Sequence, residues 1–269
     1  STQTTDLGRD SIGKLLFKLA TPAIIAQLVN VLYNIVDRIF IGRLPEGDLA
    51  MAGIGVAFPI IMLISATSAL IGMGGAPLAA IKMGEQDHDG AEKIMSNALS
   101  MLVILSILLM MSLLIFKEPL LLAFGASSQT LVYANDYLGI YILGTLFVQI
   151  AIGMNPFINT QGFAKIGMMT VMVGAVVNII LDPIFIFGLH LGVKGAAFAT
   201  ITAQFISAIW VIRFLFGKKS TLKIRKEFLI PEPKVVLPIM ALGVSPFIMQ
   251  ATESLVLVSL NNQLSRFGG

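Results

Sequence analysis

The first long apolar stretch of the sequence carries polar side chains that could bind a cation. They recur at intervals of three or four residues, at Gln27, Asn30, Asn34 and Asp37. A helix places residues at this spacing on one face, and Tyr33 lies beside that face. A polar face on an apolar helix is typical of a helix that lines an aqueous cavity within a bundle. The alternative is an aspartate at the end of a membrane span, paired with the neighbouring Arg38.

A second candidate lies in the segment "NIILDPIFIFG". Asn178 and Asp182 are four residues apart, so they share one helix face. Pro183 has no backbone N–H and disfavours helix at the residue before it, so it frees carbonyl oxygens near the carboxylate. Carboxylate and carbonyl oxygens are the ligands that hard cations such as Na⁺ prefer. The alternative is an ordinary helix end, because Asp-Pro is a common stop signal.

The composition indicates that membrane helices position these groups. The sequence is 56% hydrophobic and only 12% charged, whereas soluble domains carry about 25% charged residues. A membrane-spanning helix needs about 20 apolar residues, and seven stretches of the sequence satisfy this requirement. They are residues 15–41, 51–81, 94–116, 131–157, 167–188, 193–216 and 235–260. We therefore predict an all-α polytopic membrane protein.

The distribution of charge predicts the orientation and the division of the chain. Most of the 18 Lys and Arg residues fall in the N-terminal segment and in alternate loops, which predicts a cytoplasmic N-terminus. The basic segment 217–234 divides a six-helix lobe (1–216) from a seventh span (235–269), whose "VSPFIMQATESL" is weakly similar to "ATPAIIAQLVNV" in the first span. We expect half of a 6+6 two-lobe transporter that stops about one helix into its second lobe.

Depth in the membrane groups the candidates into one site. Asp37 and Asp182 lie late in spans that run outward, while Tyr137 and Thr200 lie about 10 Å into spans that run inward. All four residues are therefore expected in the outer half of the membrane. Charged groups inside a span cost about 2.5–3.5 kcal/mol on insertion scales, so their presence indicates a functional site.

Several functional classes are excluded by what the sequence lacks. It contains no cysteine, hence no disulfide and no thiolate metal site. It has no G-x-x-x-x-G-K-[ST], H-E-x-x-H or G-x-S-x-G motif, so we do not expect an enzyme or an ATPase. The net charge of +3 resides in loops and does not indicate nucleic-acid binding.

The chain resembles the multidrug and toxic compound extrusion (MATE) transporters. The resemblance rests on four segments that occur in the family's order: "ATPAIIAQLVNVLYNIVDRIFIGRL", "LLLAFGASSQTLVYANDYLGIY", "VVNIILDPIFIFG" and "GVKGAAFATITAQ". It implies export of amphipathic cations in exchange for Na⁺ or H⁺, by two six-helix lobes, in the cell membrane. One departure is the loop "NPFINTQGFAK", which lacks the Arg and the acidic residue that are usual in the family after span four.

The resemblance also implies roles for individual residues. The coupling site, which would also hold Na⁺ if Na⁺ is the coupling ion, comprises Asp37, Asn178, Asp182 and Thr200. The substrate cavity comprises Gln27, Asn30, Tyr33, Asn34, Tyr137 and Asn155. We expect no cofactor besides the coupling ion, and partners limited to cationic small molecules and the bilayer, with a monomeric full-length protein.

Two alternatives remain open. The same fold could export a lipid-linked saccharide or another anionic metabolite, which predicts basic residues around the cavity. A membrane-bound enzyme or assembly subunit predicts a catalytic constellation, which the sequence does not contain.

Overall fold

A computed structural model describes residues 12–268, without the side chains of residues 14, 15 and 265–268. The described part is helical throughout, and its connections are short turns apart from one longer segment at 216–232. The helices are α1 Ile12–Gly42, α2 Gly47–Gly84, α3 His88–Ala123, α4 Thr130–Leu143, α5 Thr145–Thr160, α6 Ala164–Pro183, α7 Val193–Leu215 and α8 Pro233–Gly268. A π-helical turn, Ile184–Gly188, continues α6.

The number of membrane spans agrees with the sequence prediction. Among the described residues, six helical segments are long and apolar enough to cross a membrane, and the bent pair of α4 and α5 forms a seventh. The fold prediction of an all-α polytopic membrane protein is thereby confirmed.

The fourth span, predicted at residues 131–157, consists of two helices rather than one. α4 and α5 meet at an angle of 61°, and the break lies at Gly144, whose N–H bonds to the Tyr141 carbonyl. A Cβ at Gly144 would lie 2.5 Å from Cγ2 of Ile201 in α7. The absence of a side chain therefore lets α7 pack directly against the bend.

α6 changes its helical form at the proline, as the Asp-Pro signal indicated. The α-helix ends at Pro183, and the following turn has the wider π-helical bonding, with the Leu189 N–H donating to the Ile184 carbonyl at 2.8 Å. Because proline cannot donate to the carbonyl four residues earlier, the backbone near Asp182 retains an acceptor without its usual helical partner.

α2 is the central helix of the bundle, and glycines bring two neighbours into backbone contact with it. A Cβ at Gly72 would lie 2.4 Å from the Gly153 carbonyl oxygen of α5. A Cβ at Gly243 of α8 would lie 1.7 Å from the Leu70 carbonyl oxygen of α2. Beside these contacts lies the largest apolar core, in which Ile71, Met95, Leu102, Met154 and Phe157 are fully buried. α2 thus holds α5 and α8 at distances that a side chain would not permit.

The predicted linker is packed against the bundle as an extended segment. Alternate residues, Ser220, Leu222 and Ile224, are buried, as expected when one edge of an extended chain faces a surface. The Gln161 Oε1 atom accepts hydrogen bonds from the Ser220 hydroxyl and the Leu222 N–H, both at 2.9 Å. Segment 220–224 therefore belongs physically to the same packed unit as α5.

Asn97 of α3 fixes the end of this segment. Its amide donates to the Phe228 carbonyl at 2.9 Å, and its Oδ1 atom accepts from the Glu232 N–H at 2.7 Å. Asn97 is fully buried. The start of α8 is thus tied to α3 by one side chain that bonds on both sides.

We expect Asn97→Ala to destabilise the full-length protein by about 2 kcal/mol, because it removes the hydrogen bonds that the buried Asn97 side chain makes to the Phe228 carbonyl and the Glu232 N–H. The melting temperature of the detergent-purified protein should fall, and tryptic cleavage at the exposed Lys226 should become faster. Ser112→Ala is the control, because among the described residues the Ser112 hydroxyl bonds only to Leu108 of its own helix. Equal melting temperatures for the two variants would show that Asn97 does not fix the segment.

Candidate functional site

Side chains from four helices meet at the end of the bundle where α1 ends and α2 begins. We call this group the polar cluster and define it as Asp37 (α1), Tyr137 (α4), Asn178 and Asp182 (α6) and Thr200 (α7). Asp182 is completely buried, and Asn178 and Tyr137 are nearly so, with 2% and 5% of their surfaces exposed. The residues that the sequence predicted at a similar depth in the membrane are therefore neighbours in the fold.

Asn178 is the centre of the hydrogen bonding in the polar cluster. Its Nδ2 atom donates to Asp182 Oδ1 at 3.2 Å and lies 3.5 Å from Thr200 Oγ1. The Thr200 hydroxyl in turn lies 3.5 Å from the Tyr137 hydroxyl and donates to the Ala196 carbonyl at 3.0 Å. This chain of contacts joins α6 to α7 and then to α4.

The carboxyl groups of Asp37 and Asp182 are neighbours in the polar cluster. The Arg38 guanidinium instead lies 5.8 Å from the ring centroid of Phe58, and among the described side chains no ion pair joins it to Asp37. The structure therefore does not support the alternative, in which Asp37 forms an ion pair with Arg38. Two adjacent carboxyl groups cannot both ionise freely, so the pair requires a shared proton or another cation.

Three buried oxygen atoms of the polar cluster have no hydrogen-bond partner among the described residues. They are Asp37 Oδ1, Asn178 Oδ1 and Asp182 Oδ2. Buried polar atoms are rarely left unpaired, and all three of these atoms are acceptors. The Thr200 hydroxyl is a further oxygen at the same place. Such an oxygen set fits a hard monovalent cation, and it equally fits a proton carried by one carboxyl group.

The other predicted residues of α1 lie along the same helix. Gln27 is exposed, whereas Asn30, Tyr33 and Asn34 are partly buried. The Asn34 amide donates to the Asn30 carbonyl of its own helix at 2.7 Å. These side chains therefore line an open face of α1 that leads away from the polar cluster.

Asn155 lies apart from the polar cluster. Its amide donates to the Gly167 carbonyl at 3.1 Å, in the contact between α5 and the start of α6. α5 begins only after the bend that follows α4, and Asn155 is close to its far end. The structure therefore does not bring Asn155 together with the coupling residues, because it is about 18 residues farther along the fourth span than Tyr137, or roughly 27 Å at a helical rise.

A second buried polar group was not predicted from the sequence. Gln149 of α5 is fully buried and donates to the Thr67 hydroxyl of α2 at 2.6 Å and to the Ile64 carbonyl at 3.2 Å. Its Oε1 atom and the Thr145 hydroxyl are buried without partners among the described residues. A glutamine within the apolar run "LFVQIAIG" was the signal that could have identified this group.

Comparison with known proteins relates this arrangement to one family. The MatE family model matches residues 22–184. The multidrug export protein MepA of Staphylococcus haemolyticus is 30% identical over 258 residues, which cover 96% of this chain and 57% of that protein. MepA of Staphylococcus aureus (strain N315) is 24% identical over 260 residues, with 97% of this chain and 57% of that protein covered.

Solved structures give the same relationship. A ligand complex of the MATE multidrug transporter DinF-BH superposes with a TM-score of 0.93 at 37% identity, covering 100% of this chain and 60% of that one. A MOP superfamily transporter from Pyrococcus furiosus, described as having a binding pocket whose reverse polarity suggests a different function, gives 0.84 at 28% identity, with 92% and 55% covered. The chain thus spans little more than half the length of these relatives.

Proposed function

We propose, from the premise that this chain belongs to the MATE family of multidrug efflux transporters, that the full-length protein exports amphipathic organic cations in antiport with Na⁺ or H⁺. The observation that carries the proposal is the polar cluster, with two adjacent carboxyl groups and three buried acceptor oxygens without partners. A site of this kind gains stability when a cation enters and loses it when the cation leaves.

The coupling follows from the positions of the two carboxyl groups. Asp37 is on α1, whereas Asp182 and Thr200 are on α6 and α7, so a cation bound between them draws α1 towards its neighbours. α1 contains Pro22, where a helix bends easily. The ion drives transport only if it binds the two conformations with different affinity. We propose that binding of the ion bends α1 and thereby releases the substrate from the open face of α1.

The sign of the buried charge favours a cationic substrate. The polar cluster consists of two carboxyl groups, one amide and two hydroxyl groups, and the substrate would approach along the amide-bearing face of α1. Export of a lipid-linked saccharide or another anionic metabolite is the second candidate, and it requires a basic cavity. No observation on the described residues favours that second candidate.

We further propose a multi-pass protein of the cell membrane that acts as a monomer, with its N-terminus in the cytoplasm. Lys165, Lys218, Lys219 and Lys226 are exposed at the end of the bundle opposite the polar cluster. Basic residues accumulate on the cytoplasmic side of membrane proteins. In this orientation the polar cluster lies towards the exterior, where the coupling ion enters.

The test uses the full-length protein in proteoliposomes loaded with a fluorescent organic cation. Efflux is followed under an imposed Na⁺ gradient and, separately, under a pH gradient. Efflux that depends on one of the two gradients supports antiport and identifies the coupling ion. Absence of efflux under both gradients, with the protein correctly folded, would contradict the proposed function.

Thr200→Val tests the contribution of the hydroxyl group to the ion site. The variant keeps the shape of the side chain but removes one oxygen between Asn178 and Tyr137. We expect the coupling-ion concentration for half-maximal efflux to rise about tenfold, the equivalent of about 1.4 kcal/mol. Thr202→Val is the matched control, because the exposed Thr202 hydroxyl has Phe198 of its own helix as its only hydrogen-bond partner in the described part of the chain. An equal response of the two variants would exclude Thr200 from the ion site.

A further inference from the structure

Among the described side chains of α8, three polar ones form hydrogen bonds outside their own helix. The Ser254 hydroxyl donates to the Pro59 carbonyl of α2 at 2.9 Å, and the Asn261 amide donates to the Gly55 carbonyl of α2 at 3.2 Å. The Asn262 amide donates to the Ala123 carbonyl of α3 at 3.3 Å. Other hydroxyl groups of α8, such as that of Ser259, bond to carbonyls of α8 itself. The three side chains are therefore a specific contact with the first lobe.

Two of the three acceptors are carbonyl groups that lack their usual helical donor. Pro59 has no N–H, so the Gly55 carbonyl four residues earlier loses its intrahelical hydrogen bond. Ala123 is the last residue of α3, where carbonyl groups have no partner within the helix. Asn261 and Asn262 supply the missing donors from α8. The proline in α2 thus creates a binding position for the asparagine in α8.

The contact between α2 and α8 differs along its length. Nearer to the linker, the Gly243 backbone lies directly against the Leu70 carbonyl, and no side chain intervenes. At the end that also carries the polar cluster, hydrogen bonds to carbonyl groups hold the helices together. Water can replace such bonds when the helices separate, and each bond therefore contributes little net stability. The two helices are therefore joined by backbone packing at Gly243 and by side-chain hydrogen bonds at the polar-cluster end.

We propose that Ser254, Asn261 and Asn262 form a reversible clasp that closes the polar-cluster end of the interface between the two lobes. This inference rests on the proposed function, since alternating access requires the lobes to separate at one end at a time. The glycine contact of α2 with α8 acts as the pivot, and the clasp opens when the protein faces the exterior. Ser254 is 1% exposed, so its hydroxyl group is reached by water only after the clasp has opened.

Labelling of a cysteine behind the clasp measures its opening. Met62 lies in the groove between α2 and α8, together with Phe58, Val256 and Leu257. It is three residues beyond Pro59 in the direction of the linker. A Met62→Cys variant of the full-length protein, in a background without other cysteines, is treated in sealed vesicles with a membrane-impermeant maleimide added outside. The labelling rate reports the population of the outward-open state and requires no transport.

We expect Asn261→Leu to increase the labelling rate about fivefold and the double variant Ser254→Ala/Asn261→Leu more than tenfold, because each removes a bond that is present only in the closed state. Ser259→Ala is the matched control and should leave the rate unchanged. Asn261→Gln keeps an amide donor, so its labelling rate should be close to that of the wild type. This variant separates the loss of the hydrogen bond from poor folding of Asn261→Leu. Unchanged labelling in the double variant, or an equal increase in Ser259→Ala, would overturn the proposal.

Pro59→Ala tests whether the proline defines the acceptor. The alanine supplies the N–H that the Gly55 carbonyl lacks, so the Asn261 amide should be needed less. We expect Asn261→Leu to raise the labelling rate less than twofold in the Pro59→Ala background, a non-additive double-mutant cycle. A full fivefold increase in that background would overturn the assignment of the Gly55 carbonyl. If the labelling rates are as expected but ion-driven efflux is absent, the proposed function is contradicted and the clasp is not.

Discussion

Replacement of Asp37 by asparagine is expected to abolish ion-driven efflux by the full-length protein, with a loss of about 100-fold or more. Asparagine preserves the shape of the side chain but cannot carry a proton or a negative charge. Asp182 would then face a neutral amide in a buried site, and no cation could be shared between α1 and α6. Without a cation shared between α1 and α6, the ion no longer favours one conformation over the other, so the ion gradient no longer drives efflux.

The measurement is the initial rate of efflux of a fluorescent organic cation from proteoliposomes under the gradient that drives the wild type. Asp48→Asn is the matched control, because Asp48 is an exposed aspartate in the first turn of α2. We expect wild-type rates in that variant. Undiminished efflux in Asp37→Asn would mean that the carboxyl group has no part in coupling and that its contact with Asp182 is only structural.

The second large effect is expected from Gly72→Ala. The added Cβ would lie 2.4 Å from the Gly153 carbonyl oxygen and 3.0 Å from the Gly153 Cα, so the backbones of α2 and α5 must move apart. Because Met154 and Phe157 on α5 are fully buried beside this contact, the movement also disrupts the largest apolar core. Overpacking of this kind costs about 1–3 kcal/mol, and a backbone conflict belongs at the upper end of that range.

The melting temperature of the purified full-length protein checks this expectation. Gly84→Ala makes the same substitution near the end of the same helix, where none of the described atoms lies within 4 Å of the added Cβ. The melting temperature of Gly84→Ala should stay close to that of the wild type, whereas the melting temperature of Gly72→Ala should be well below it. Similar melting temperatures for the two variants would show that the contact of α2 with α5 adapts readily.

The sequence predicted the parts of the molecule that depend on local pattern. Apolar runs located the spans because each must cross the bilayer unaided. Asn178 and Asp182 could be placed on one face because a helix fixes the positions of residues four apart. Their approach to Asp37 and Thr200 was inferred from depth alone, which constrains distance along the membrane normal but does not determine which helices are neighbours.

Features that depend on long-range contacts were not predicted. The bend at Gly144 follows from the packing of Ile201 against it, and a single glycine inside an apolar run does not reveal such a neighbour. The seating of Leu222 and Ile224 in the core turns the predicted linker into part of the lobe. Asn261 finds its acceptor about 200 residues away in the chain, at a carbonyl freed by Pro59, and local pattern carries no information on such a pairing.

The central claim is that Asp37 and Asp182 share one exchangeable cation. Infrared difference spectroscopy of the purified full-length protein tests it directly, by observing the C=O stretching band of a protonated carboxylic acid. We predict such a band at neutral pH, its loss when saturating Na⁺ is added or the pH is raised, and its absence in both Asp37→Asn and Asp182→Asn. A band that persists in both variants, or a spectrum that responds to neither Na⁺ nor pH, would contradict the account.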